Sequence, residues 1–312
     1  MPEARPPAVP PLGVWLAAVG LAGLLLGGSV GVARWAERRA NRQFEAEAEA
    51  LLRREAARPD SVRLAVVLGS SLTEAGVAPV PFFDQRMGGR WRVVRLFRSG
   101  ANLESFTERS GVLRLLERYP PDVFLLEDHL LRRGLPDGWR VRFDATAPEV
   151  LLNWLYFFGK TAWRTGQPDR WLSFDRLPPH HDRPNAADTL HLAPALDLLR
   201  RRPPRAFAET PALHASLRRL RERGTRLVLL HFPRPAPLET ATQRGEDAAR
   251  LRRLAADYRR AYGAAYWSYD RPLTFRDFMD YIHLNQAASL RFSAWLADRL
   301  RRDGAGSEPR NP

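Results

Sequence analysis

The sequence contains no cysteine and only one lysine, Lys160. The absence of cysteine excludes disulfide bonds, thiolate nucleophiles and cysteine-ligated zinc, and it leaves the redox compartment open. Because lysine is nearly absent, the formal charge of +14 comes almost wholly from arginine. The arginines occur in pairs along helical stretches with Glu or Asp nearby, which favours solvated helix faces compatible with lipid headgroups. We therefore expect no nucleic-acid partner, although a strongly basic chain leaves that alternative open.

Charge is also absent from one long segment near the N-terminus. No charged residue lies between Leu12 and Ala33, and at about 1.5 Å per residue a helix of this length crosses a hydrocarbon core of about 30 Å. We predict an N-terminal tail at 1–11 and a transmembrane anchor at 12–33, with the lipid bilayer as a partner. A cleaved signal peptide is the alternative, since Gly31 and Ala33 are small residues at plausible cleavage positions.

The segment after this run is rich in Ala, Glu and Arg and predicts a juxtamembrane helix at 34–59, which Pro59 ends. Four arginines follow the apolar run, whereas only Arg5 and the terminal amine precede it. The positive-inside rule alone would leave the C-terminal part in the cytoplasm. The short, proline-rich N-terminal tail is instead typical of a cytoplasmic stub.

Short apolar runs alternate with amphipathic segments over residues 60–302, the pattern of βα units around a parallel sheet. This pattern predicts one α/β domain, a three-layer α/β/α sandwich with about five parallel strands. The predicted strands are 63–68, 91–96, 122–126, 226–230 and 265–269, and the predicted helices are 105–118, 211–223, 245–262 and 286–302. A disordered tail is predicted at 303–312.

Residues from about 135 to 205 interrupt this alternation with the aromatic stretch LLNWLYFFGKTAW and a polar, proline-containing stretch. We interpret them as an insertion between the third and fourth strands, placed to cover a site at the edge where open parallel sheets bind ligands. The alternative is an extra packed helix with a surface loop. Three histidines of this segment, His180, His181 and His191, match no metal-binding spacing. We therefore expect no metal and no other cofactor.

A serine follows the first predicted strand directly. The strand runs into Gly69, Ser70 and Ser71, which puts a hydroxyl on a tight turn where a helix begins. Backbone N–H groups and the positive end of a helix dipole at such a turn stabilise a developing oxyanion. The alternative is that the serines only cap the helix. Ser71 is the candidate nucleophile.

Asp280 and His283 lie just before the last predicted helix. Three-residue spacing on a turn lets the carboxylate reach the imidazole, fix its tautomer and stabilise the imidazolium formed when histidine takes a serine proton. A neutral serine needs such a base. A lone histidine before a helix is otherwise usually a surface or capping residue. His231, at the end of the fourth predicted strand, either shapes the pocket or caps the strand.

Together these segments resemble the sequence blocks of the SGNH/GDSL hydrolase superfamily over residues from about 62 to 300. The stretch from Gly69 to Leu72 is similar to the G-D-S-L block with Ser70 in place of aspartate. Asp280 and His283 match the last block, and Gly100 is similar to the glycine whose N–H enters the oxyanion hole. The resemblance implies a flavodoxin-like fold, a Ser71, His283 and Asp280 triad, and an oxyanion hole that includes the N–H groups of Ser71 and Gly100.

The third block departs from the family pattern. Where the family places G-x-N-D after its third strand, this chain has Glu127, Asp128, His129 and Leu130. His129 falls where the asparagine would sit and is a candidate oxyanion donor through an imidazole N–H, with a structural role as the alternative. Asn102 is a second candidate. Because loss of one oxyanion donor typically costs ~10²–10³ in rate, this departure affects the rate and the reaction type more than the fold.

Membrane-anchored proteins with an altered third block are similar to those that assist O-acetylation of alginate or D-alanylation of teichoic acids beside a membrane-bound O-acyltransferase. The resemblance implies a serine esterase or O-acyltransferase that acts on acyl esters of cell-envelope glycans. It also implies a single-pass protein of the bacterial cytoplasmic membrane with a periplasmic or otherwise extracytoplasmic domain. One alternative is a catalytically inactive scaffold or glycan-binding protein that uses residues 154–163. The other is a basic protein on a nucleic acid or lipid surface.

Overall fold

The computed structural model describes residues 11–59, 61–98, 103–107, 110–132, 210–243, 246–280 and 282–305. The chain divides into two compact units. One comprises Met1–Gln43 and Trp139–Arg170, and the other comprises Phe44–Gly138 and Trp171–Pro312. Apart from the first part of the N-terminal helix, the elements described below all belong to the second unit.

The N-terminal helix α1 runs without a break over Leu12–Ala56. Among the residues that the structure describes, no helix is both long enough and apolar enough to cross a membrane. The side chains of residues 25–34 lie outside that description. The predicted transmembrane anchor at 12–33 is therefore not supported.

Five strands form one parallel sheet in the order β2-β1-β3-β4-β5. They are β1 (Arg63–Gly69), β2 (Trp91–Phe97), β3 (Val123–Glu127), β4 (Arg226–His231) and β5 (Ala265–Ser268). The prediction of a mixed α/β fold with five parallel strands is confirmed. From β1 the chain adds β2 on one side and then β3, β4 and β5 on the other, so the strand order switches between β1 and β3. Ligands of open α/β sheets bind in the crevice at the carboxyl ends of the strands at such a switch point.

Alternate residues of each central strand enter different hydrophobic cores. From β1, Leu64, Val66 and Leu68 enter one core, whereas Ala65 and Val67 enter the other. The same alternation occurs in β3 and β4. Because both faces of the sheet are buried, its strands appear in the sequence as continuous apolar runs rather than alternating ones.

Helices cover both faces of this sheet. After α1 they are α2 (Ser71–Gly76), α3 (Val80–Met87), α4 (Leu103–Thr107), α5 (Val112–Arg118), α6 (Asp128–Arg132), α7 (Pro211–Glu222), α8 (Ala236–Gln243), α9 (Glu246–Tyr262) and α10 (Gln286–Ala305). The end of α1 with α4, α5, α7 and α9 completes the first core. The helical side chains of the second core come from α2, α3 and α10. The described elements therefore form three layers.

Two predicted helices differ from the observed ones. The single helix predicted at 105–118 is two helices, α4 and α5, because the second begins anew after Gly111 as its N-cap. The last helix continues to Ala305 rather than ending at 302. The predicted insertion at 135–205 and the histidines within it lie outside the described residues.

Candidate active site

Ser71 is the first residue of α2 and lies directly beyond the carboxyl end of β1. The strand ends at Gly69, and Ser70 is the N-cap of the helix, with its side chain accepting a hydrogen bond from the N–H of Leu72. A side chain at Gly69 would overlap Thr73 Oγ1 and Glu127 Oε2. Glycine at this position therefore lets the strand turn tightly into the helix that carries Ser71.

Asp280 and His283 lie on one loop before α10. An antiparallel bridge between Phe278 and Leu284 closes the loop, and the N–H of Met279 donates to the carbonyl of His283 at 2.9 Å. Asp280 Oδ1 accepts the backbone N–H of residue 282 at 2.8 Å and that of His283 at 2.7 Å. These two backbone hydrogen bonds hold the carboxylate in place independently of its contact with the imidazole.

The remaining oxygen of this carboxylate meets the histidine ring. Asp280 Oδ2 lies 2.6 Å from His283 Nδ1, and His283 Nε2 lies 2.8 Å from Ser71 Oγ. The structure therefore brings together Ser71, His283 and Asp280, the three residues predicted from opposite ends of the sequence. Burial alone would raise the pKa of Asp280, but the hydrogen bond and charge of His283 outweigh it and hold that pKa below its usual value.

These distances allow a defined distribution of protons. An ionised carboxylate can only accept, so His283 Nδ1 carries the proton that is donated to Asp280. Nε2 then has a free lone pair and accepts the hydroxyl proton of Ser71. Such an arrangement can remove a proton from a serine and hold the resulting imidazolium beside a carboxylate.

The last helix holds the loop against α2. The N–H of Ala78, just beyond α2, donates to Ser293 Oγ at 2.8 Å, and Ser293 Oγ donates to the carbonyl of Gly76 at 3.4 Å. Phe232 packs against Gly76, and its ring stacks on Phe292 with centroids 4.9 Å apart. Helices α2 and α10 are therefore fastened to each other behind Ser71 and His283.

Glu127 lies next to the serine turn and is not among the site residues predicted from the sequence. It is the last residue of β3 and is fully buried. The N–H of Ser70 donates to Oε2 at 2.7 Å, the hydroxyl of Ser70 to Oε1 at 2.6 Å, and the hydroxyl of Thr73 to Oε2 at 2.9 Å. Burial raises the pKa of Glu127 above its usual value, an effect that the hydrogen bonds from Ser70 and Thr73 oppose. The sequence signal for this residue is a carboxylate that ends an otherwise apolar strand.

Arg95 is a buried cation beside α2. It lies in the middle of β2 with 1% of its surface exposed. Nη1 donates to the carbonyls of Glu74 and Val77, each at 2.8 Å, and the guanidinium lies 5.1 Å from the ring centroid of Phe97. Burial raises the pKa of Glu74, and the charges of Arg95 and His283 partly oppose this. Nothing in the apolar strand pattern indicated that Arg95 reaches α2.

The residues predicted for the oxyanion hole are only partly described. Gly100 and Asn102 lie outside the described residues. His129 lies on α6, and Arg234 Nη2 is 2.6 Å from its Nδ1. Because a guanidinium can only donate, Nδ1 of His129 accepts and its proton is on Nε2. The role of His129 as an oxyanion donor stays a prediction.

His231 belongs to a separate polar cluster at the carboxyl ends of β3 and β4. Its Nδ1 lies 2.9 Å from Asp128 Oδ2 and its Nε2 lies 2.9 Å from Glu239 Oε1. The hydroxyl of Tyr266 donates to the same Asp128 oxygen at 3.3 Å. Burial lowers the pKa of His231, but the two carboxylates more than reverse this and raise it to about 9. His231 is therefore a buried cation that ties α6 and α8 to the sheet.

Across the described part of the chain, no three His, Cys, Asp or Glu side chains are grouped so as to hold a metal ion. The sequence matches no family model and no curated protein. A solved structure, the periplasmic domain of lipopolysaccharide acetyltransferase from Salmonella ser. Paratyphi A, matches 78% of this chain and 85% of that chain at 10% identity and a TM-score of 0.35. Similarity at this level assigns neither a family nor an activity to this chain.

Proposed function

We propose that this protein is a serine esterase or O-acyltransferase that forms an acyl ester on Ser71. The observation that carries the proposal is the continuous chain of hydrogen bonds from Ser71 Oγ through His283 to Asp280, with distances of 2.8 and 2.6 Å. A serine hydroxyl is a poor nucleophile unless a base accepts its proton, and an oriented imidazole is the usual base. The position of Ser71 at the carboxyl end of β1 also fits a ligand-binding crevice.

The proposed first step transfers an acyl group to the protein. His283 Nε2 takes the Ser71 proton as Oγ attacks the ester carbonyl, and Asp280 stabilises the imidazolium. The imidazolium then gives this proton to the leaving alcohol oxygen as the ester C–O bond breaks, which leaves acyl-Ser71 and neutral His283. In the second step His283 deprotonates an acceptor hydroxyl or water, which attacks acyl-Ser71 and releases the serine with its proton restored.

Negative charge on the attacked carbonyl oxygen needs hydrogen-bond donors. Ser71 is the first residue of α2, so its backbone N–H has no acceptor within the helix and is available for the oxyanion. We propose Gly100 N–H as a second donor and His129 as a third, on the basis of the sequence blocks.

The proposed substrates are acyl esters of bacterial cell-envelope glycans, with an extracytoplasmic site that works beside a membrane-bound O-acyltransferase. This part of the proposal is supported by the resemblance of the segments around Ser71 and His283 to SGNH/GDSL hydrolases. Transfer to a glycan hydroxyl and hydrolysis share the acyl-Ser71 intermediate. The two outcomes differ only in whether an acceptor sugar or water reaches it.

Labelling with a fluorophosphonate probe tests the nucleophile. We expect covalent modification of the wild-type protein at Ser71, no labelling of Ser71→Ala, and labelling of His283→Ala slowed by at least about 10³-fold. Ser61→Ala is the matched control, because Ser61 is exposed and precedes β1 at the opposite edge of the sheet. A folded wild-type protein that never labels, or that labels equally with alanine at residue 71, would refute the proposed nucleophile.

Turnover separates an enzyme from an inactive scaffold. With p-nitrophenyl acetate as the donor, we expect a burst of one acetyl group per chain and a mass increase that maps to the peptide containing Ser71. Addition of a glycan acceptor is expected to divert acetyl groups from water to sugar. If neither a burst nor turnover occurs at any acceptor concentration, the protein is a binding or scaffolding protein instead.

A further inference from the structure

Helix α2 has only six residues, yet it carries the proposed nucleophile. Helices this short are unstable on their own, because few internal hydrogen bonds offset the cost of ordering the backbone. The end groups of such a helix find few partners within it and are bonded instead by side chains, water or a ligand. The position of Ser71 therefore depends on what contacts the two ends of α2.

At the N-terminal end the partner is a buried carboxylate. Glu127 accepts three hydrogen bonds, two from Ser70 and one from Thr73, and these residues lie on either side of Ser71 in the turn. Ionised carboxylates are costly to bury unless several donors contact them. Negative charge at this end also complements the helix dipole.

At the C-terminal end the partner is a buried cation. Arg95 donates to the carbonyl of Glu74, in the last turn of α2, and to the carbonyl of Val77, the residue that follows the helix. Positive charge at this end is the favourable sign for the helix dipole. Glu127 comes from β3 and Arg95 from β2, the two strands that flank β1, so the helix is held from both neighbouring strands.

We propose that Glu127 and Arg95 are positioning residues that together hold α2 so that Ser71 Oγ stays within hydrogen-bond distance of His283 Nε2. The inference rests on the proposed function of Ser71 and adds residues that touch no substrate. Because a misplacement of about 1 Å can lower a reaction rate by roughly 10²-fold, loss of either contact is expected to slow acylation while the Asp280 and His283 pair stays intact.

The test uses Glu127→Ala in the full chain and measures fluorophosphonate labelling over a range of probe concentrations. We expect the maximum labelling rate to fall about 10- to 100-fold, with little change in the probe concentration that gives half of this rate. The pH midpoint of labelling is expected to stay unchanged, because the hydrogen bond between His283 and Asp280 is unchanged. Simple destabilisation would instead lower the amount of folded protein without lowering the rate per folded molecule.

A carboxylate placed at residue 70 instead of residue 127 is expected to restore part of the labelling rate. In the double variant Ser70→Asp/Glu127→Ala, the new carboxylate occupies the N-cap, where aspartate is a favoured residue that accepts from the first N–H groups of the helix. We expect this double variant to label at least about tenfold faster than Glu127→Ala alone. Such a rescue is specific to positioning of the turn, since it adds no contact to substrate.

Glu55→Ala is the matched control. Glu55 is another buried carboxylate, paired with Arg54 and Arg92 and remote from α2 in its contacts. Loss of Glu55 lowers stability without touching the serine turn, so we expect wild-type labelling of the folded protein. Arg95→Met is expected to slow labelling as Glu127→Ala does, and Arg95→Lys, which keeps one charged donor, is expected to retain more of the rate.

If Glu127→Ala does not fold, Glu127→Gln replaces it, because the amide keeps one acceptor oxygen and is expected to give an intermediate rate. Wild-type labelling rates in these variants would overturn the inference and leave the proposed function intact. If the wild-type protein never labels, the proposed function fails instead, and amide hydrogen exchange then decides the inference. Exchange of the Ser70 N–H and the α2 amides at least about tenfold faster in Glu127→Ala than in Glu55→Ala supports it, and equal exchange overturns it.

Discussion

Replacing Asp280 with asparagine tests how the acid–base pair works, because the two oxygens of this carboxylate have different partners. Oδ1 accepts two backbone N–H groups, whereas Oδ2 accepts the ring N–H of His283. In Asp280→Asn the amide oxygen must take the Oδ1 position, since an NH₂ group there would face two donors. The opposite orientation of the amide loses both hydrogen bonds from the backbone, at about 1–1.5 kcal/mol each. The orientation with oxygen at the Oδ1 position is therefore favoured by roughly 30- to 150-fold.

The consequence is a change of tautomer at His283. The NH₂ group of the new side chain faces Nδ1, which must then accept, so the ring proton moves to Nε2, the atom that faces Ser71. A ring that carries its proton on Nε2 cannot take one from the serine. The tautomer effect of about 10² and a further 10- to 100-fold from the lost negative charge beside the imidazolium predict acylation about 10³–10⁴ slower.

Stopped-flow measurement of the acylation burst, or the labelling rate with a fluorophosphonate, checks this prediction. Asp277→Asn is the matched control on the same segment, because Asp277 bonds Thr274 and pairs with Arg291 rather than with His283. We expect that control to acylate within about threefold of the wild-type rate. An Asp280→Asn protein that acylates within about tenfold of wild type would refute the tautomer argument.

Two further predictions concern stability. Asp128 and Glu239 raise the pKa of His231 to about 9, so the cation contributes about 3 kcal/mol to the free energy of unfolding. This contribution is fully present below about pH 6.5 and is lost as the pH rises through 9. In urea unfolding, the advantage of wild type over His231→Gln should therefore narrow by about that amount between pH 6 and pH 10. Gly69→Ala should lower the free energy of unfolding by about 3 kcal/mol, because its methyl group would overlap Thr73 and Glu127.

Each stability prediction has its own control. NMR titration of the His231 ring gives its pKa directly, and a stability difference that is constant from pH 6 to pH 10 would contradict a protonated His231. Gly13→Ala is the control for Gly69, because a methyl group at Gly13 contacts nothing within 4 Å. An equal effect of the two alanine substitutions on urea unfolding would mean that the turn has more room than the structure shows.

The strands could be predicted from the sequence because they are buried on both faces. The predicted bounds of β1 and β4 agree with the structure to within one residue at each end, since continuous apolar runs between amphipathic segments have no competing interpretation in an α/β domain. The short helices were harder to predict. Helices α2 and α6 have six and five residues, too few for the periodicity that identifies a helix to be visible.

The candidate site was predictable where its chemistry is local and unpredictable where it depends on packing. Asp280 and His283 are three residues apart, so their pairing can be inferred from spacing alone. Glu127 and Arg95 reach α2 only because β3 and β2 flank β1 in the sheet, and strand order cannot be deduced from strand patterns. Two of the positions that depart from the SGNH/GDSL blocks, Ser70 and Glu127, are hydrogen-bonded to each other, which no linear comparison of blocks indicates.

The closed loop between Phe278 and Leu284 contains one part of the site, and the other part lies far away in the sequence. The pairing of Asp280 with His283 is made by neighbours in the chain, whereas Ser71 is 212 residues from the histidine that it contacts. The pair of Asp280 and His283 therefore forms from local sequence, and only the contact between His283 and Ser71 depends on the tertiary fold. A chain in which α2 has detached retains an oriented histidine with nothing to deprotonate, so the proposed acyl transfer would be lost before the sheet unfolds.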